Sequence, residues 1–243
     1  MTNRRPVESV SFPVEKIKEG YYTDAYFLRS EEILNGDNYH PRVLMQVFAR
    51  DNVVVCGTDE VIALIKQCAF HPENIVIHSL HDGDEVEEWE TVMTIEGDYA
   101  DFAHLETLYL GILARQSRIA TNVRKVVKAA NGKPVLFFPA RYDIYQTQEA
   151  DGYAALVGGI HGFSTDANAL AAGGRGLGTI PHALIASYKG DTVAATEAFD
   201  KYVDPSIARI ALVDFDNDCV NTSLAVARKL GKKLAGVRLD TSG

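Results

Sequence analysis

The chain has 243 residues, of which 47% are hydrophobic, and it carries a formal net charge of −9. This composition is typical of a folded globular protein, and the length suits one large α/β domain or two smaller ones. The acidic balance argues against a nucleic-acid-binding protein, which usually presents a basic face. It leaves room for a local basic pocket that binds a phosphorylated substrate.

The cysteine count and the absence of long apolar runs argue against several further classes of protein. Three cysteines without a Cys-x-x-Cys motif argue against a disulfide framework and a zinc knuckle. The N-terminal residues have no signal-peptide pattern, and no stretch approaches the roughly 18 apolar residues of a membrane span. We therefore expect a cytoplasmic protein.

Residues 1–133 predict a mixed α/β domain with antiparallel strands. An aromatic-rich segment, YYTDAYFLR (21–29), comes first. Short β-branched or apolar runs then predict three strands, at 42–48, 53–56 and 91–97. Apolar residues at helical spacing predict two helices, one that opens at Asp59 and one from about Asp101 to Ala129.

Residues 134–243 alternate strand-like and helical segments, a pattern typical of βαβ units in a parallel sheet or barrel. Five segments are interpreted as strands, at 134–139, 162–166, 178–182, 208–214 and 233–240. Polar residues follow at the carboxyl ends of these strands, where such folds build their ligand sites: Arg141, Asp166, His182, Asp214, Arg238 and Asp240. Since a complete barrel has eight strands, we expect this chain to be a fragment or one part of a split protein.

Two motifs near the middle of this half allow two interpretations each. The glycine-rich run at 173–178, followed by Thr179, could cradle a phosphate through backbone N–H groups or form a plain turn. His182 follows Pro181 at a predicted strand end. It is either a structural residue or an acceptor of a proton or phosphoryl group.

The charged residues of the last two strands are equally open to interpretation. Arg238 and Asp240 lie on the same side of an extended strand, so they form either an ion pair or a site for an anion and a hydroxyl or metal. Asp214 starts an acidic stretch that serves either a helix N-terminus or a Mg²⁺ or ribose-hydroxyl site. Tyr26 and Phe138 are core residues by composition alone.

Seven strings of this sequence resemble, in the same order, those of nicotinate phosphoribosyltransferases. That family belongs to the type II phosphoribosyltransferases, together with the nicotinamide and quinolinate enzymes. The strings are YYTDAYF (21–27), EGDYADFAHLETLYLGILA (96–114), FFPAR (137–141), GFSTDA (162–167), GTIPHAL (178–184), ALVDFDND (211–218) and GVRLDTSG (236–243). The resemblance implies an α/β fold: an N-terminal mixed α/β domain over 1–133, followed by an irregular and here incomplete α/β barrel over 134–243.

The resemblance also implies an activity. The family transfers phosphoribosyl from phosphoribosyl pyrophosphate to nicotinate, which gives nicotinate mononucleotide and pyrophosphate for NAD synthesis. The reaction is coupled to ATP hydrolysis through a phosphohistidine, as in a ligase, and it needs Mg²⁺. A cytoplasmic homodimer with a shared active site is expected.

By motif, the resemblance assigns His182 as the phosphohistidine. Phe138 would stack on the pyridine ring, and Tyr26 would reach its other face from the partner subunit. Arg141 would contact phosphates, Arg238 the carboxylate of nicotinate, and Asp240 the ribose and metal. Three further assignments complete the set: Thr179 and Asp166 at the substrate, and Asp214 at the metal. Asp166 matches an amide contact of the nicotinamide enzymes, and it would repel a carboxylate.

Three alternatives stay open at this point. The substrate could be nicotinamide or quinolinate, although the second carboxylate of quinolinate should demand more Arg and Lys at the strand ends. The chain could be a catalytically silent fragment or a subunit of a split enzyme. It could also be a ligand-binding protein that has lost turnover, although the intact His182, Arg238 and Asp240 argue against this.

Overall fold

The structure is a computed structural model that describes residues 4–241, and these divide into two compact units between Gly176 and Leu177. The predicted domain boundary at 133/134 lies inside the first unit and stays a prediction. The last two residues of the string GVRLDTSG lie outside the described residues.

The described residues form the following α-helices: α1 (Val14–Lys18), α2 (Ala25–Gly36), α3 (Thr58–Cys68), α4 (Glu106–Ala129), α5 (Gln148–Gly158), α6 (Asp166–Ala169), α7 (His182–Ser187), α8 (Thr192–Tyr202) and α9 (Cys219–Leu230). The strands are β1 (Arg42–Phe48), β2 (Val53–Val54), β3 (Val76–Ser79), β4 (Glu85–Val86), β5 (Thr91–Asp98), β6 (Leu136–Phe137), β7 (Gly162–Phe163), β8 (Arg209–Leu212) and β9 (Leu234–Arg238). None of the helices between residues 4 and 241 is long and apolar enough to cross a membrane.

The first unit is built on an antiparallel sheet in the order β1-β5-β3. The antiparallel strands β1 and β5 agree with the prediction, whereas β3 was not predicted. β5 is the central strand, and its inward side chains Met93 and Ile95 are buried against α3 and the start of α4. The predicted helices are present with small shifts in their bounds. α3 begins at Thr58, and α4 begins at Glu106 because two short 3₁₀ turns occupy residues 99–105.

The second half of the chain forms parallel strand pairs, which also agrees with the sequence. β6 pairs with β7 in the first unit, and β8 pairs with β9 in the second. α5 packs on α4 in the first unit, and α8 and α9 pack together in the second. In each unit the parallel strands are therefore accompanied by packed helices.

One strand prediction is wrong. Residues 178–182 form no strand, and His182 is instead the first residue of α7, with Pro181 at its N-cap. Proline has no N–H to give to a sheet ladder, whereas the start of a helix needs none. His182 therefore lies at the start of a helix and not at a strand end.

Candidate active site

The carboxyl ends of β8 and β9 meet at one edge because the two strands are parallel neighbours. Leu212 is in register with Arg238. The chain then leaves β8 towards Asp214 and leaves β9 towards Asp240. The second unit thus brings its five predicted site residues together: Thr179, His182, Asp214, Arg238 and Asp240.

Asp214 is the buried centre of this cluster. Its side chain is only 5% exposed, and its Oδ1 lies 2.9 Å from Nε2 of His182. Its Oδ2 accepts hydrogen bonds from the backbone N–H groups of Asp240 and Thr241, the latter at 2.6 Å. Burial raises the pKa of the Asp214 carboxyl, but these hydrogen bonds outweigh it and hold the pKa well below its usual range.

The ionised carboxylate of Asp214 determines the tautomer of His182. A carboxylate only accepts hydrogen bonds, so Nε2 of the neutral imidazole carries the proton and Nδ1 keeps its lone pair. The His182 side chain is 36% exposed, and Nδ1 lies 3.9 Å from Oδ2 of Asp240. This arrangement supplies an accessible nitrogen nucleophile with an oriented ring.

Arg238 is held beside the histidine by two neutral acceptors. Its Nη1 donates to Oγ1 of Thr179 at 2.8 Å, and its Nη2 donates to the carbonyl of Ile180 at 3.2 Å. Asp240 lies 3.6 Å from Nη2, which is longer than a charge-assisted hydrogen bond. Among the described residues, the buried Nε of Arg238 has no hydrogen-bond partner. Each Nη nitrogen also keeps one further N–H donor for an anion.

Asp240 suits a magnesium ion better than Asp214 does. In the part of the chain that the structure describes, no group of three His, Cys, Asp or Glu side chains could hold a metal ion. Both oxygens of Asp214 already accept hydrogen bonds, whereas the Asp240 side chain is 47% exposed. Because Mg²⁺ in phosphate sites is commonly held by one or two carboxylates plus substrate phosphates, Asp240 alone fits that role.

Four predicted site residues belong to the first unit. Tyr26 lies on α2, is 57% exposed, and packs on Phe27 with ring centroids 4.2 Å apart. Phe138 follows β6 and is 46% exposed, and Arg141 lies exposed three residues later. The core interpretation of the two aromatic residues is therefore wrong, because each leaves about half of its surface accessible.

Asp166 is hydrogen-bonded to the glycine-rich run. Oδ1 of Asp166 accepts a hydrogen bond of 2.7 Å from the backbone N–H of Gly176. A Cβ atom at Gly176 would come within 2.9 Å of backbone atoms of Ser164 and Thr165, so only glycine fits this close approach. In the first unit the run therefore packs against the segment that follows β7.

Sequence reasoning missed two residues of the histidine cluster. The Thr241 N–H binds Asp214, and its Oγ1 lies 3.5 Å from Nε2 of His182. The Phe215 ring lies 6.3 Å from the imidazole. Both residues adjoin predicted site residues in sequence, but nothing in their residue type distinguishes them from ordinary neighbours.

Residues 24–117 match the family model of the quinolinate phosphoribosyl transferase N-terminal domain. A nicotinate phosphoribosyltransferase from Mycobacterium tuberculosis is 30% identical over 155 residues, which cover 62% of this chain and 34% of that protein. The crystal structure of nicotinate-nucleotide pyrophosphorylase from Pyrococcus furiosus is 36% identical with a TM-score of 0.86, and the match covers 96% of this chain and 60% of that one. These matches show that the chain is similar to type II phosphoribosyltransferases.

The same family likeness confirms the predicted fold class, a mixed α/β N-terminal domain followed by a partial barrel. Human nicotinic acid phosphoribosyltransferase shares the fold at 15% identity, with a TM-score of 0.68 over 90% of this chain and 61% of that one. The chain spans about a third of the length of the curated relatives it matches. The activities in the names of these relatives therefore describe those longer proteins.

Proposed function

We propose that this chain carries the nucleophile and anion site of a nicotinate phosphoribosyltransferase. The enzyme would transfer phosphoribosyl from phosphoribosyl pyrophosphate to nicotinate, which gives nicotinate mononucleotide and pyrophosphate, and it would couple this step to ATP hydrolysis. It would act in NAD synthesis as a cytoplasmic homodimer. The observation that carries the proposal is the buried Asp214, which orients His182 while Arg238 and Asp240 lie beside it.

In the ATP-coupled step, Nδ1 of His182 attacks the γ-phosphorus of ATP. A P–N bond forms, the P–O bond to ADP breaks, and ADP leaves with that electron pair. The Nε2 proton remains in the hydrogen bond to Asp214, so the negative carboxylate compensates the positive charge of the phosphorylated ring. Water later cleaves the P–N bond and releases phosphate.

In the transfer step, the pyridine nitrogen forms a bond to C1 of the ribose while the C1–O bond breaks. Pyrophosphate leaves with the electron pair and no base is needed, because the attacking nitrogen carries no proton. Phe138 and Tyr26 would hold the flat ring, and Arg141 would bind phosphate oxygens. A bound Mg²⁺ at Asp240 would neutralise charge on pyrophosphate.

Arg238 would select the acid over the amide. Thr179 and Ile180 use one hydrogen on each Nη nitrogen, and the remaining Nη hydrogens would pair with the carboxylate of nicotinate. Nicotinamide has no negative charge to compensate the guanidinium, so it should bind more weakly. Thr179 would then act on the substrate through Arg238.

Incubation of the protein with each of three pyridines, phosphoribosyl pyrophosphate, Mg²⁺ and γ-labelled ATP tests this proposal. We expect mononucleotide from nicotinate, and an acid-labile, base-stable label on the protein that His182→Ala removes. His81→Ala, which alters an exposed histidine of the first unit, is the matched control and should keep the label. A label that survives in His182→Ala would contradict the phosphohistidine.

Quinolinate is the second candidate because the matching family model is that of quinolinate phosphoribosyl transferase. Quinolinate carries one more carboxylate than nicotinate, so it needs a second cation besides Arg238. Turnover with quinolinate, together with an unlabelled His182, would favour this candidate over the first.

A further inference from the structure

We propose that Arg115 is a positioning residue that fixes the loop carrying Phe138 and Arg141. This inference rests on the proposed function, since it is that function which gives the two loop residues their roles. Arg115 lies on α4, more than 20 residues before the loop in sequence. An arginine on a long helix does not by itself indicate a functional role. The loop is defined as residues 138–144, between β6 and the 3₁₀ turn Tyr145–Thr147.

The loop has almost nothing else to order it. None of its seven residues is buried, and its large apolar side chains Phe138, Tyr142 and Ile144 are 46%, 84% and 60% exposed. Its backbone bonds are local, from the Tyr142 N–H to the Pro139 carbonyl and from the Thr147 N–H to the Ile144 carbonyl. Hydrophobic burial therefore cannot determine its conformation.

Among residues 4–241, Arg115 is the loop's only hydrogen-bond partner outside the adjoining 3₁₀ turn. Its Nη2 donates to Oδ2 of Asp143, two residues after Arg141, and also to Oγ1 of Thr147 at 3.2 Å. The same carboxylate of Asp143 accepts the Ile144 N–H at 2.8 Å. The guanidinium beside Asp143 holds the pKa of that carboxyl below its usual value.

The anchor is itself fixed by a buried acid. Nε and Nη2 of Arg115 each lie 2.9 Å from one oxygen of Asp151, whose side chain is 7% exposed. Exposed ion pairs are ordinarily worth little, partly because two flexible side chains must be ordered. Here the bidentate pair with Asp151 already orders Arg115, so its contact with Asp143 constrains the loop.

The consequence concerns Arg141 most directly. Without Arg115, the segment from Pro139 to Ile144 loses its link to α4, and Arg141 would sample several positions. A phosphate contact made by a mobile arginine loses affinity, because the side chain and backbone must be ordered on binding. We therefore expect a larger effect on KM for phosphoribosyl pyrophosphate than on kcat.

The test compares Arg115→Met, Arg115→Lys and Asp143→Asn in the full chain, with Arg124→Lys as the matched control. Arg124 lies on the same helix, also has three hydrogen-bonding partners, and holds the end of α5 and Glu85 rather than the loop. Asp143→Asn keeps the Arg115–Asp151 pair, so it reports on the loop even if Arg115→Met folds poorly.

Two measurements separate this inference from the proposed function. Hydrogen–deuterium exchange is measured without substrate. The Tyr142 and Ile144 amides should exchange faster in Arg115→Met, Arg115→Lys and Asp143→Asn, and at an unchanged rate in Arg124→Lys. KM for phosphoribosyl pyrophosphate should rise about tenfold in Arg115→Met, with a smaller rise in Arg115→Lys.

Unchanged loop exchange overturns the inference whatever the activity. Faster exchange with an unchanged KM also overturns it, since the loop would then be anchored but not used for positioning. If the unaltered protein forms no mononucleotide from any pyridine, the proposed function fails, and the exchange data still decide whether Arg115 orders the loop.

Discussion

The two parallel strand pairs, β6 with β7 and β8 with β9, both carry charged residues just past their carboxyl ends. After the first pair, carboxylates hold loops: Asp143 binds Arg115, and Asp166 binds the Gly176 amide. After the second pair, a buried carboxylate, Asp214, holds a histidine ring. Residues at the same topological position thus hold loops in place in the first unit and orient a histidine ring in the second.

The difference follows from burial. The side chains of Phe138 and Arg141 lie exposed, so the residues that follow the first pair can offer surface contacts to a ligand. Asp214 is 5% exposed and fully hydrogen-bonded, and there the loss of a hydrogen-bond partner would cost far more than at an exposed carboxylate.

The largest effect is expected for Asp214→Asn in the second unit. An amide can donate its N–H to Nε2, which would put the imidazole proton on Nδ1 and remove the nucleophilic lone pair. We expect labelling of His182 by ATP to slow on the order of a hundredfold or more. Labelling at the unaltered rate, in a variant that denatures like the parent protein, would refute the orienting role of Asp214.

The next largest effect is expected on the stability of the first unit, where α5 packs closely against the segment that contains Asn168. A Cβ atom at Gly152 on α5 would come within 2.1 Å of the backbone oxygen of Asn168. Gly152→Ala should therefore destabilise the first unit by about 3 kcal/mol, measured by urea denaturation. Gly111→Ala on α4 is the matched control, because no heavy atom outside the neighbouring backbone of α4 lies within 4 Å of its added Cβ. It should stabilise by about 0.5–1 kcal/mol, and a loss there similar to that of Gly152→Ala would contradict the packing argument.

A smaller effect is expected for Arg238→Met. The substitution removes the charge that would pair with nicotinate, so KM for nicotinate should rise about tenfold to a hundredfold. KM for nicotinamide should change little, which makes the ratio of the two the informative measurement. An equal rise for both pyridines would place Arg238 at the sugar or its phosphates instead.

The smallest effect is on the pH dependence of stability. Since the pKa of Asp214 is lowered in the folded protein, its ionised form stabilises the fold above the ordinary pKa of about 4. That contribution is lost as the pH falls through the lower folded value. Urea denaturation between pH 6 and pH 3 should show a shallower decline in unfolding free energy for Asp214→Asn. Identical slopes would contradict the buried, ionised state of Asp214.

Several features of this protein could be predicted from the sequence because they depend on local pattern. Residues 42–48 form β1 as expected, and the apolar stripes after Asp59 and along α4 form helices. The helix over 192–202 was not predicted, although Asp191 caps it through the N–H of Ala194. Its apolar residues are too sparse to stand out, and packing on β8 and α9 supplies what the pattern lacks.

By itself, the sequence determined which chemistry is available: a histidine after Pro181, an arginine and an aspartate near the end of the last strand, and the strings that resemble a phosphoribosyltransferase. How those groups are used depends on contacts that form when the chain folds. Asp214 became the partner of His182 because parallel β8 and β9 end at one edge and enclose its carboxylate. Such a choice depends on burial and on contacts between residues far apart in the chain, which no local pattern records.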